Sequence, residues 1–154
     1  MGVYPMLLDE TCFFLAADFD KAAWQEDAAA FLETCHQKNL PAALERSRSG
    51  HGGHLWFFFE EALPATLARK LGAHLLTETM ERRPDIGLDS YDRFFPNQDT
   101  LPPGGFGNLI ALPQDPVESR PLEWPPVRVY PSDGCFILTL CFHRHSGFVP
   151  SIRG

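Results

Sequence analysis

The chain is short of basic residues: 13 Lys and Arg stand against 20 Asp and Glu in 154 residues, a formal net charge of −7. That balance excludes a protein that coats nucleic acid by bulk electrostatics. It does not exclude a site in which acids hold metal ions and a local basic patch meets phosphate. Arg46, Arg48, Arg82, Arg83 and Arg93 are available for such patches, although arginines of this kind are usually solvated surface. Long apolar runs are also missing. None reaches the roughly 18 residues needed to cross a bilayer, and the chain does not open with a basic segment followed by a signal-type apolar stretch. A cytoplasmic protein with no membrane partner is the expectation. Only four cysteines are present, Cys12, Cys35, Cys135 and Cys141, without CxxC spacing, so reduced buried thiols are expected rather than disulfides or structural zinc. Cys135, Cys141, His143 and His145 share strand parity, but one strand cannot wrap four ligands tetrahedrally around an ion. No internal repeat is visible.

What is present is a large apolar content, 44% with 13 Phe, enough for one folded domain with a sizeable core. Residues 12–18 form an apolar run ending in acid, which reads as a buried strand. Residues 21–37 have helical spacing, with Trp24, Ala28, Phe31, Leu32 and Cys35 on one face and Asp20 as the expected N-cap. Asn39 and Pro41 mark the stop. A short strand at 41–46, a turn over Ser47–Gly53 and an aromatic strand over His54–Glu60 follow. Pro64 opens a second helix to about Met80, carrying Leu67, Leu71 and Leu75 on one side. This order of elements predicts a mixed α/β (α+β) layer. Asn108–Leu112 reads as a further short strand. Beyond Pro113 the character changes: seven of the 14 prolines lie in 113–154, and only Cys135–Phe142 reads as an ordered strand there.

Three groups of residues carry chemistry. Asp18 and Asp20 lie two apart at a strand end, so both carboxylates point to one face and can hold one or two divalent cations. A helix N-cap accounts for Asp20 without any metal, but a carboxylate ending a buried strand, as Asp18 does, carries a desolvation cost that a cation or hydrogen bonds must offset. Asp-x-Asp pairs also occur in aspartyl phosphatases and glycosyltransferases, so the pair alone does not fix the reaction. Ser49-Gly-His-Gly-Gly-His54 is either an ordinary turn or an anion site, in which Ser49, Gly50, His54 and the neighbouring Arg48 offer amides, a hydroxyl and cations to phosphate. His54 opens the following strand and is expected to be better held than His51 at the tip. The third group is Asp89, Asp92 and Asp99, acids framed by aromatics that can complete a two-metal site.

Taken in order, Val3-Tyr-Pro-Met-Leu-Leu, Phe14-Leu-Ala-Ala-Asp-Phe-Asp20, Pro41-Ala-Ala-Leu-Glu-Arg-Ser-Arg-Ser-Gly50, Gly53-His-Leu-Trp-Phe-Phe, Ser90-Tyr-Asp-Arg-Phe-Phe-Pro-Asn-Gln-Asp99 and Gly104-Gly-Phe-Gly-Asn-Leu-Ile-Ala-Leu-Pro113 resemble the primase domain of TOTE conflict systems, within the archaeo-eukaryotic primase superfamily. The resemblance covers nearly all of 3–113. It implies a primase-polymerase core with an RRM-like sheet flanked by helices, joining nucleoside triphosphates on a template nucleic acid, with a helicase as partner in the same system or polypeptide. It implies two Mg²⁺ or Mn²⁺ ions on Asp18, Asp20 and Asp92, with Asp89 as the reserve for the third position. It also implies that Ser49, Gly50, His54 and Arg48 contact the triphosphate. On this reading 1–113 is the catalytic segment and 114–154 a divergent Pro-rich tail of the kind a frameshift produces, leaving the core incomplete at both ends. The competing expectation is an inactive remnant that at most binds nucleotide. An aspartyl phosphatase ranks third, because its Lys and further acids are not found.

Overall fold

Alternation along two neighbouring strands organises the molecule. The computed structural model describes residues 2–47, 49–85 and 87–111 and the backbone of two strands at 127–132 and 135–140. The elements are β1 (Gly2–Val3), β2 (Thr11–Phe19), α1 (Trp24–Gln37), β3 (Ala43–Arg46), β4 (Gly53–Pro64), α2 (Ala65–Arg82), β5 (Tyr91–Phe95), β6 (Ile110–Ala111), β7 (Val127–Ser132) and β8 (Cys135–Leu140). The result is a mixed α+β fold of two helices on a largely antiparallel sheet.

β2 and β4 form the centre of the sheet, paired antiparallel, with β5 on the far edge of β2. The other edge of β4 is shared: β3 pairs with Gly53–Trp56, and β7 joins in parallel at Phe59, with β8 beyond it. β1 and β6 form a separate two-stranded ribbon.

Because side chains alternate along a strand, β2 and β4 divide their residues between two faces. Leu15, Ala17 and Phe19 with Leu55, Phe57 and Phe59 point to the helices and form the main core with Trp24, Ala28, Phe31 and Cys35 of α1 and Ala68, Leu71 and Leu75 of α2. Phe31 lies at its centre, fully buried, its ring centroid 5.8 Å from Phe19 and 6.1 Å from Phe57. The opposite face carries Ala16, Trp56 and Phe95, which pack with Ile110 of β6 and with Val3, Phe14 and Ala43 in a smaller cluster. A register break between Cys12 and Phe14 lets Cys12 join the helix-side core and leaves Phe13 half exposed. Cys12 and Cys35 are free thiols, and burial pushes both up to about 12. Among the described residues no helix is long and apolar enough to cross a membrane.

Several sequence expectations need correction. Asp20 does not cap α1: the N-cap is Ala23, with no side-chain cap hydrogen bond. Lys21 takes a left-handed backbone conformation (φ 69°), and the Asp20 amide donates to the Ser90 carbonyl at 2.7 Å, so Asp20 sits just past the end of β2 and before the helix start at Trp24. The aromatic strand runs four residues past Glu60, to Pro64. Tyr91–Phe95, which the sequence marks only by its acids, is a strand. β7 adds a strand before Cys135, where none is expected from the sequence; it meets β4 at Phe59↔Val127 and pairs antiparallel with β8, Pro131 lying opposite Phe136. Asn39, in contrast, ends α1 with φ 55°, as the sequence implied.

Phe31→Ala removes the ring that joins α1 to the sheet. Its unfolding free energy in urea is expected to fall by about 3–5 kcal/mol.

Candidate active site on the sheet face away from the helices

The cross-strand register brings four polar residues into one row. Arg93 of β5 lies opposite Asp18 of β2, Asp18 opposite His54 of β4, and His54 opposite Glu45 of β3. Directly paired residues share a face, so all four project on the side away from the helices. The His54 ring sits between two carboxylates: Nε2 is 3.5 Å from Asp18 Oδ1, and Nδ1 is 3.7 Å from Glu45 Oε2. These are charge contacts rather than full hydrogen bonds, and Nδ1 is buried without a hydrogen-bond partner. Glu45 is itself fixed, because Trp56 Nε1 donates to its Oε2 at 3.0 Å.

Asp18 is partly buried. Its carboxyl is held above the usual carboxylate range, first by burial and then by the neighbouring charges of Asp92 and Asp20, with His54 and Arg93 pulling the other way. Asp92 reaches this neighbourhood through an irregularity in β5: Phe19 pairs with Tyr91 but Asp18 pairs with Arg93, so Asp92 is an extra, bulged residue. Arg93 Nε donates to Asp92 Oδ2 at 2.5 Å. Asp20 sits just past β2, with Oδ1 buried and unpartnered. Ser90 links these pieces. Its carbonyl accepts the Asp20 amide, while its own amide and hydroxyl donate to Asp27 Oδ2 at 3.1 and 2.6 Å, a buried anchor on α1.

The fold thus gathers Asp18, Asp20 and Asp92 around one strand end beside His54. Asp89 lies in the turn before β5, its carbonyl accepting from Lys21 Nζ at 2.9 Å, and it is not among the charges that perturb Asp18. Asp99 pairs with Arg69. Among the described residues, no three His, Cys, Asp or Glu side chains converge closely enough to cage an ion as they stand.

The Ser47–Gly53 turn closes on itself. The Ser47 amide donates to the Gly52 carbonyl (2.8 Å), the His51 amide to Ser49 Oγ (3.3 Å), and Arg46 Nε and Nη2 both donate to the Gly50 carbonyl (3.1 and 2.9 Å). Gly50 has φ +76°, and a Cβ on Gly52 would lie 2.5 Å from the Phe19 carbonyl oxygen, so small residues let the turn lie against the end of β2. His51 is exposed at the tip and Arg48 lies outside the described residues, as do Cys141, His143 and His145. A cavity of about 470 Å³ opens beside the turn, lined by Lys21, Ala22, Trp24, Gln25, Arg46, Gly50 and His51. Three of these side chains are basic or imidazole, but neither Asp18 nor His54 lines it.

Sequence reasoning missed Glu45, Lys21 and Ser90. Glu45 could have been found by running the strand pairing back across the turn from His54. Nothing local marks Lys21 or Ser90.

A largely antiparallel sheet backed by two helices, with acids at one strand end beside a glycine-rich turn, makes this an α+β domain. The family model described as TOTE conflict system, Archaeo-Eukaryotic Primase domain, matches residues 1–119, and the chain belongs to that family. No curated protein matches the chain.

Two outcomes follow. The folded protein holds the Asp18 proton more tightly than the unfolded chain, so ionising Asp18 lowers stability as pH rises above the ordinary value of 3.8. In thermal melts without metal, Asp18→Asn is expected to be more stable than wild type near pH 7, and the gain should vanish as pH falls through the carboxylate range. Glu45→Ala leaves the buried Trp56 Nε1 without its acceptor and is expected to cost about 1–3 kcal/mol in denaturant titrations, most of it recovered in Glu45→Gln.

Proposed function

We propose that the protein is a primase-polymerase that joins nucleotides on a nucleic-acid template, working in the cytoplasm beside a helicase in a conflict, defence or mobile-element system. The observation that carries this reading is the gathering of Asp18, Asp20 and Asp92 at one strand end next to His54, in a chain of this family. The donor set suits divalent ions: Asp20 Oδ1 is buried without a partner, and Asp18 is pushed toward its protonated form by burial and by two other carboxylates. A cation would relieve both conditions.

Asp18, Asp20 and Asp92 would hold Mg²⁺ or Mn²⁺. Such ions, when bound, lower the pKa of a primer 3′-hydroxyl and stabilise in-line displacement of pyrophosphate. The chain's own groups do the positioning. His54 presents its imidazole to the phosphate chain, with Glu45 behind it restricting the ring. The Ser49–Gly50 turn, prearranged by Arg46, offers backbone amides and a hydroxyl, and Lys21 adds a cation at the adjoining cavity. Asp27, through Ser90, fixes the spacing between Asp20 and the strand that carries Asp92.

A second reading, an inactive remnant that at most binds nucleotide, draws support from one observation: the acids do not form a ready cage. Binding of a fluorescent nucleoside triphosphate with and without Mn²⁺ separates the two. An active site gives Mn²⁺-dependent binding that weakens at least about tenfold in Asp18→Ala/Asp20→Ala, with primer extension lost. Binding that is indifferent to both metal and the two acids supports the remnant.

A further inference from the structure

Arg93 stands where the acids converge. It is opposite Asp18 in the ladder and follows the bulged Asp92, and its Nε holds Asp92 Oδ2 at 2.5 Å. The charges of Asp92, Asp18 and Asp20 all favour its protonated form. A guanidinium does not give up its proton at any ordinary pH, so this positive charge is permanent. The side chain is 47% exposed against 34% for Asp92, and the structure gives it one charge-assisted contact. It can therefore swing into water without disturbing the core.

These features give the acids a neighbouring cation, to which Asp92 is turned. We propose that Arg93 is the resident counter-ion of this acidic site, occupying it electrostatically in the metal-free protein, so that metal entry is an exchange in which Asp92 leaves Arg93 for the incoming ion. The inference rests on Asp18, Asp20 and Asp92 being the metal ligands. Arg93 is on this account a positioning residue, setting the metal affinity by competition.

Exchange has a thermodynamic signature that a structural role lacks. Whatever the Arg93–Asp92 pair contributes must be given up on binding, so removing the guanidinium strengthens metal binding while weakening the metal-free fold. An exposed pair of this kind corresponds to about a two- to fivefold change in affinity, and loss of the repulsion between guanidinium and metal adds to it.

The test uses Mn²⁺ alone, without nucleotide. Free Mn²⁺ is measured by electron paramagnetic resonance, and thermal melts are run in parallel on wild type, Arg93→Gln, Arg93→Lys and Asp18→Ala/Asp20→Ala. The expected result is a Mn²⁺ dissociation constant about three- to tenfold lower in Arg93→Gln, a larger Mn²⁺-induced rise in melting temperature, and near-wild-type behaviour in Arg93→Lys. Equal or weaker Mn²⁺ binding in Arg93→Gln, with binding still lost in Asp18→Ala/Asp20→Ala, overturns the counter-ion role and leaves the metal ligands standing. No Mn²⁺ binding by folded wild type or Arg93→Gln overturns both.

Discussion

Burial of a carboxylate, Asp18, at the end of one sheet with two further acids beside it is the constraint around which the candidate site is arranged. Asp18 is partly buried and feels Asp92 and Asp20, a combination that costs free energy in any medium less polar than water. Much of the surrounding architecture answers that cost. Arg93 and His54 bring positive or polarisable groups to either side of Asp18. Glu45 and Trp56 support the outer edge of the imidazole, and Ser90 ties the segments carrying Asp20 and Asp92 to a buried anchor on α1. The helix-side core has a mechanical part in this. Leu15, Ala17 and Phe19 are fully buried, so this part of β2 cannot slip, and Phe14, Ala16 and Asp18 are committed to the opposite face.

The parts of this design that depend on short-range pattern could be read from the chain itself. The apolar run before Asp18 and the two-residue spacing to Asp20 require only strand parity. The buried face of α1 follows from helical spacing, and its end from Asn39. What could not be read depends on pairing between distant segments. Glu45 matters only because β3 aligns it with His54. β5 escaped recognition because Asp92 and Arg93 are consecutive polar residues, which spoils alternation, and the bulge that reconciles them with a strand is visible only against β2. The Asp20 cap failed for a different reason: propensity favours an acid at a helix start, but Lys21 turns left-handed and α1 begins only at Trp24, with Ala23 in the cap position.

The two halves of the candidate site differ in mechanical character. The acid row is built on paired strands, and its members keep their relative positions as long as the sheet is intact. The glycine-rich turn is held by its own hydrogen bonds and by Arg46, with its exposed tip at Ser49 and His51 and its base, Gly52 and Gly53, against Phe19 and Trp24. A ligand spanning both would meet side chains of paired strands at one end and backbone groups of a hydrogen-bonded turn at the other.

The bulge in β5 also governs how a gene for such a domain can vary. In a regularly paired stretch, one inserted or deleted residue sends every later side chain to the opposite face, so Phe14–Phe19 of β2 and Gly53–Phe58 of β4 tolerate changes of residue type far better than changes of length. β5 already carries its extra residue between Tyr91 and Arg93. Deleting that one position would leave Tyr91 and Phe94 still facing the helices through a straight strand, while removing a carboxylate from the site. A single codon therefore separates a domain with three acids from one that folds in the same register with two.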